Sequence, residues 1–414
     1  MSRITVITAG HLSTCPRMLK AADALTRAGH VVRVISTRHV PWATDADRDV
    51  AATRRWASWR VVDYDRTTAR GTYAWTGLRR RLALSLSGRR GPAHASLGVV
   101  ARAFSRVHSE LVDAATAEPC DVFYGGTTGA LAATAEAAAR AGVPFALDLE
   151  DFHSGEQQGA DAALVNALAA RLERELLPRA SALTAAGAAI RDEYQALYGV
   201  RVTSINNTFP LPSIAPVLDD RRAGDPLRMY WFSQTIGPDR GLEEAIAASG
   251  LAGVPAELHL RGRPIAGYVD DLQRLASSIA PALRVVILPP INPDAMVDSC
   301  RPYDIGLAVE QPDVRSRELC LTNKALTYPL AGLATVVTST AGQRAFAADL
   351  GHGALAYAAG DVRALAAGLT RWFEEPGRLA CARRAAWAAA ARRWHWEHPL
   401  ERDALVGAVA AVAR

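Results

Sequence analysis

Lysine is almost missing from this sequence. Of 47 basic residues only Lys20 and Lys324 carry an ammonium, and the rest are arginine. A lysine's compact charge and an arginine's planar fork are not interchangeable. A lysine kept against such a bias is either a functional choice or a chance survivor. The motif around Lys324 favours the first reading there, and Lys20 stays open between the two. Cysteine is also scarce. Five scattered residues, Cys15, Cys120, Cys300, Cys320 and Cys381, form no Cys-x-x-Cys pair. That argues against a disulfide framework and a structural zinc site, and points to a reduced, cytoplasmic setting. Long apolar runs are absent, because the Ala-rich stretches are broken by arginine, so no membrane span is expected. Met1 to Gly10 reads as a first strand rather than a signal peptide.

The formal charge is +5. The arginines are dispersed and no nucleic-acid-binding signature is present, so nucleic acid is not the expected partner. The mild excess suits a phosphate-bearing substrate and leaves peripheral membrane contact open.

With 414 residues, half of them apolar, the chain can build two α/β cores. Ile4 to Thr8 reads as a buried strand, Pro16 opens a helix, Gly29 ends it, and Val31 to Ser36 is the next strand. This βαβ start lacks the G-x-G-x-x-G fingerprint, which argues against a nicotinamide enzyme. Further strands are expected at 121–124, 144–148, 181–184 and 201–205. A second series follows at 228–233, 256–261, 284–288, 304–309 and 334–338. Helices between them imply parallel sheets. Trp59 to Gly98 reads as irregular and arginine-rich, either a specificity-bearing insertion or a solvated loop with a surface helix. The expected division is 1–207 as an N-terminal domain, 208–226 as a linker, 227–390 as a second domain, and 391–414 as a terminal helix returning to the first.

Open parallel sheets take ligands at the carboxyl ends of their strands. The turn Ser233 to Glu243 leaves a strand and enters a helix. Gly237 and Gly241 allow close backbone approach there, and Arg240 can fork onto an anion. In Leu321 to Gly332, Asn323 is the expected N-cap of a helix carrying Lys324. A lysine in a helix's first turn opposes the helix dipole, and an incoming phosphate would favour it. No Asp-x-Asp pair sits at an expected strand end near these motifs, so no metal site is expected.

The runs FSQTIGPDRGLE and LTNKALTYPLAGLATVVTSTAGQ resemble the donor half of retaining glycosyltransferases of family 4, which have the GT-B fold. ITAGHLSTCPRMLKAADALTRAGHVVRVIS, ALDLEDFHSGE and VTSINNTFP are similar to that family's first βαβ unit, histidine-bearing loop and pre-linker segment. The resemblance spans nearly the whole chain through the order and spacing of the motifs. It implies an α/β fold of two Rossmann-like domains facing a cleft. The N-terminal domain would bind the acceptor and the C-terminal one the nucleotide-sugar donor.

The resemblance also implies roles. His153, Arg240 and Lys324 would be catalytic. The donor, a UDP- or GDP-sugar, would meet Gly10, Gly237, Arg240, Pro290, Ile291, Glu318, Asn323 and Lys324, with no cofactor required. The family's two glutamates, eight positions apart, correspond here to Leu319 and Thr327, so Glu310 or Glu318 would have to substitute or the pocket differs. A small-molecule, thiol or cell-envelope acceptor is compatible with the sequence. A sugar-nucleotide epimerase or hydrolase and a non-catalytic partner subunit are the rival readings. Nothing in the sequence sets the oligomeric state.

Overall fold

The computed structural model describes residues 1–218 and 222–413. The chain divides into two compact units, Met1–Asn206 with Pro399–Arg414, and Asn207–His398. Residues 219–221 of the expected linker 208–226, and Arg414 of the expected terminal helix, lie outside the described residues.

The first unit holds seven parallel strands: β1 (Arg3–Thr8), β2 (Val31–Arg38), β3 (Ser58–Asp63), β4 (Val122–Gly126), β5 (Phe145–Leu149), β6 (Ala182–Ala185) and β7 (Thr203–Ser204). Their order in the sheet is β3-β2-β1-β4-β5-β6-β7. The β-branched run of β1 makes it central, with every residue after Arg3 buried. Pro16 starts the helix Pro16–Arg27, where its missing N–H costs nothing. Met18, Ala22 and Leu25 of that helix are fully buried. Helix Arg402–Val412 belongs to this unit and buries Leu405 and Val409.

The second unit holds β8 (Leu227–Ile236), β9 (Ala256–Pro264), β10 (Leu283–Leu288), β11 (Ile305–Ala308), β12 (Ala334–Thr338) and β13 (Ala354–Tyr357), all parallel, in the order β10-β9-β8-β11-β12-β13. Its core packs Trp231, Leu258, Leu260, Ile305, Leu307 and Val336 between the sheet and its helices. Each sheet therefore reverses its winding once, between β1 and β4 in the first and between β8 and β11 in the second. Those reversals open a crevice at the strand ends, where doubly wound sheets hold ligands.

The stretch read as irregular is ordered. It contains strand β3 and the 21-residue helix Arg70–Arg90. Strand β13 was also not expected. Both are edge strands, each paired on one side only, so neither needs a continuous apolar run.

Candidate functional site

In the first unit the carboxyl ends of β1, β4 and β5 converge. The hydroxyl of Thr127, just past β4, accepts from the Ala9 N–H at 3.0 Å. Gly10 follows, its N–H reaching the Thr8 hydroxyl at 3.3 Å. A Cβ on Gly10 would lie 2.6 Å from Cys15 Sγ, so a side chain there would not fit. Burial pushes the Cys15 thiol up to about 12, which removes it as a nucleophile. Thr127 is held at φ +70°, a costly conformation for a β-branched residue. Such strain persists where its surroundings over-determine it, and it clusters at functional sites.

Thr128 brings the third strand end in. Its hydroxyl lies 3.0 Å from His153 Nδ1. His153 follows β5 and is only 2 % exposed, and its Nε2 has no partner. Burial alone would depress its basicity, but the Glu156 carboxylate 3.7 Å away and the field of Glu173 and Asp151 more than offset it, so its pKa is raised. The backbone is fixed from behind. The Tyr194 hydroxyl accepts from the His153 N–H at 3.1 Å, and buried Glu173 accepts from the Ser154 N–H at 3.1 Å. Glu173 also receives the Tyr198 hydroxyl at 2.7 Å.

Three neighbouring groups complete the surroundings. His11 is a structural residue. Its Nδ1 lies 2.6 Å from Asp47, and its Nε2 takes the His39 and Val40 N–H groups at 3.1 Å. Asp47 and the two backbone N–H groups thus hold the ring from both sides. Lys20 is half-buried, and burial followed by the nearby Arg17 charge brings its pKa down to about 7. Glu150, at the end of β5, was not singled out from sequence. Desolvation, then Asp151 and Asp148, raise its carboxyl to about 7. Its neighbour Asp148 is fully buried against Arg17, and only the fold brings those charges together.

In the second unit the crevice lies beyond β8 and β11. Gly241 takes φ +72° at the N-terminus of helix Leu242–Ala252. A Cβ there would stand 2.1 Å from the Val309 carbonyl oxygen, so glycine is required for the helix to start so close to β11. At Gly237 a Cβ would stand 2.4 Å from Ile265 Cδ1, the far end of an exposed side chain that can give way. Arg240 precedes that helix, half-exposed, and makes no hydrogen bond or ion pair among the described residues. The acidic residues of the helix's first turn are already engaged. Glu243 takes the Tyr268 hydroxyl at 2.6 Å, and Glu244 takes the Tyr357 hydroxyl at 2.9 Å.

Lys324 joins this end of the sheet through Glu310, the residue after Val309. It is 7 % exposed, with Nζ 2.5 Å from Glu310 Oε1 and 5.5 Å from the centre of the Trp231 ring. The Glu310 contact is an ion pair between two buried side chains. Two expectations change here. The helix carrying Lys324 is only Asn323–Thr327, too short for a strong dipole. The buried carboxylate of Glu310, not the dipole, sets the local field. The N-cap is Thr322, whose hydroxyl accepts from the Ala325 N–H, so Asn323 is not the cap. Asn323 instead accepts from the Asn207 side-chain amide at 2.8 Å.

The remaining predicted positions separate. Glu318 accepts from the Ala341 N–H at 2.9 Å, capping helix Ala341–Leu350. Thr327 is fully buried and turns its hydroxyl back to the Asn323 carbonyl at 2.7 Å. Pro290 is exposed and Ile291 half-buried in the turn after β10. Arg261 steadies that turn by donating to the Pro289 carbonyl at 2.8 Å and to the Tyr230 hydroxyl at 2.6 Å. Among the described residues no group of three or more His, Cys, Asp or Glu is placed to hold a metal ion. No described helix is long and apolar enough to cross a membrane.

No family model matches the chain, and no curated protein sequence does. Solved structures do match over its whole length. Anabaena Alr3699/HepE in complex with UDP-glucose is 16 % identical, with a TM-score of 0.64 and 99 % of each chain covered. Sucrose-phosphate synthase from Thermosynechococcus elongatus is 12 % identical, with a TM-score of 0.66, covering 100 % of this chain and 98 % of that one. A glycosyltransferase from Rickettsia africae ESF-5 is 10 % identical, with a TM-score of 0.64 and the same coverage. At such identities the likeness concerns the backbone. This chain has the α/β fold of those proteins, two Rossmann-like parallel-sheet units of the GT-B class.

Proposed function

We propose that this protein is a glycosyltransferase moving a sugar from a nucleoside diphosphate donor, UDP- or GDP-linked, to an acceptor. The observation that carries the reading is the cation pair at the β8/β11 reversal: unpaired Arg240 at a glycine-opened helix start, and buried Lys324 over Trp231. A diphosphate is the dianionic group that such a site suits. The ammonium of Lys324 has three N–H groups, and Glu310 engages one direction, leaving donors for a phosphate. The ligands carried by the HepE complexes, UDP and UDP-glucose, support the choice of donor class.

The transfer retains configuration and needs no essential metal. Arg240 and Lys324 stabilise charge on the departing diphosphate, which is where preorganised electrostatics contribute most. Gly237, Asn323, Glu318, Pro290 and Ile291 border the donor. Gly10 and His153, at the strand ends of the first unit, are its residues for the transfer. The first unit takes the acceptor, a small molecule, thiol or envelope intermediate, in a cytoplasmic setting. Donor binding by calorimetry, followed by mass spectrometry of products and proton NMR couplings at the new anomeric centre, tests the reading. An inverted product, or activity abolished by EDTA and restored by magnesium, overturns the mechanism.

One observation favours the non-catalytic rival. Thr327 stands where the resembled family carries a glutamate, and its hydroxyl is spent inside its own helix. Nucleotide binding with neither transfer nor hydrolysis would support that reading.

A further inference from the structure

The helix Arg70–Arg90 is built inside out. The side it turns inward carries Thr76, Ala83 and Ser87, all buried. Its outward side carries Trp75 at 59 % exposure, Leu78 at 49 %, Leu82 at 58 % and Leu86 at 44 %. At 3.6 residues per turn these four fall within an arc of about 80°, one continuous stripe. A lone exposed leucine needs no explanation, but a stripe of four large apolar side chains marks an interaction surface.

The charge along this segment of the chain has one sign. From Arg66 to Ser109 there are nine arginines and not one aspartate or glutamate. Four of the nine serve the fold. Arg79 pairs with Glu110, Arg80 and Arg102 hold backbone carbonyls, and Arg106 holds Thr76. The other five, Arg66, Arg70, Arg81, Arg89 and Arg90, are exposed and make no hydrogen bond or ion pair among the described residues. On the helix, Arg81 and Arg70 flank one side of the stripe, and Arg89 and Arg90 close its end.

A tryptophan–leucine stripe bordered by free cations, with Glu110 already paired to Arg79, complements one kind of partner. A lipid surface offers apolar chains below a layer of anionic headgroups, which matches the stripe and its border. Tryptophan favours the same interfacial depth. A second copy of this chain would bring the same cations face to face, a like-charge arrangement that disfavours pairing through this stripe.

We propose that helix Arg70–Arg90 is a membrane-docking element that seats the protein on anionic lipid, stripe inward and arginines at the headgroups. This surface is separate from the nucleotide-binding reading and stands or falls without it. The test is co-sedimentation of the full chain with vesicles of phosphatidylcholine containing about one-third phosphatidylglycerol, against phosphatidylcholine alone, without nucleotide. Binding is expected to the anionic vesicles only, weakening as salt rises. The double variant Trp75→Ser, Leu82→Gln should lose about tenfold or more of that binding. Its thermal unfolding should move little, because both residues are more than half exposed. Quenching by brominated lipid should be clearly smaller in Trp75→Phe than in the parent chain. Absence of binding to the anionic vesicles, or unchanged binding by the double variant, overturns the proposal. So does light scattering that shows a dimer which the double variant abolishes.

Discussion

Lys324 carries its charge beside the buried Glu310 carboxylate, so any substitution there acts twice. Removing the ammonium strands an uncompensated anion, which costs about 3–5 kcal/mol of stability. If Lys324 also holds the leaving diphosphate, the same change lowers the chemical step about a hundredfold, on the order of 3 kcal/mol. The two effects separate in a cycle. Lys324→Met combined with Glu310→Gln should recover most of the stability lost in Lys324→Met alone, and none of the rate. Urea midpoints and single-turnover transfer measure the two. Lys324→Arg should stay impaired, because a planar fork does not fit where a point charge sits over Trp231. Transfer at the parent rate by the double variant would show that the lysine serves only the fold.

His153 gives a second expectation at this scale. Its folded pKa is raised above the ordinary histidine value. The stability it contributes is therefore fully present below that ordinary value, near pH 6.5, and is lost as pH rises through the folded value. His153→Gln should lower the urea midpoint more at about pH 5.5 than at about pH 8. Equal losses at both pH values would mean that Glu156 and Glu173 do not favour the imidazolium.

At the scale of elements, Gly241 links the helix Leu242–Ala252 to strand β11. Alanine there meets both a positive φ and the Val309 carbonyl. Gly241→Ala should cost about 1–3 kcal/mol. It should also shift the Arg240 turn, so donor affinity should fall with stability. Gly253 also has positive φ, but no neighbour lies within 4 Å of where its Cβ would stand. Gly253→Ala is the control that carries the backbone strain without the clash, and it should leave donor affinity alone. Calorimetric titration with UDP and GDP reads the difference.

The same elements show what could be read from sequence. The inner strands β1, β8 and β12 are legible because burial on both faces demands β-branched and aromatic runs. Edge strands β3 and β13 escape because pairing on one side, not composition, makes them strands. The helix Arg70–Arg90 reads as irregular for a different reason. Its apolar residues point away from the core, so their spacing does not report the face that packs. The positions of Arg240, Lys324 and His153 were legible as motifs. The partners that define their chemistry lie far apart in the chain: Glu310 for Lys324, Thr128 and Glu173 for the His153 turn. Only the fold supplies those pairings.

At the scale of the whole molecule, the chain leaves the first unit at Asn206 and re-enters it at Pro399. One buried carboxylate joins the two ends. Glu401 is fully buried and accepts from the Asn206 backbone N–H at 2.5 Å and from its side-chain amide at 2.9 Å. Glu401→Ala leaves both donors unpaired away from water, at about 1–3 kcal/mol for each lost partner. Proteolysis and thermal unfolding should therefore show a weakened first unit. The proposed donor site, by contrast, lies in the second unit, which also holds the Glu310 and Trp231 contacts of Lys324 and the Val309 constraint on Gly241. Affinity for UDP or GDP at a temperature where the variant remains folded should then stay within about twofold of the parent value, less than 0.5 kcal/mol. Transfer to an acceptor should suffer more, because the β1, β4 and β5 ends that carry Gly10 and His153 belong to the weakened unit. A fall in nucleotide affinity matching the loss of stability would mean that the first unit contributes directly to holding the nucleotide, and that division of labour would be wrong.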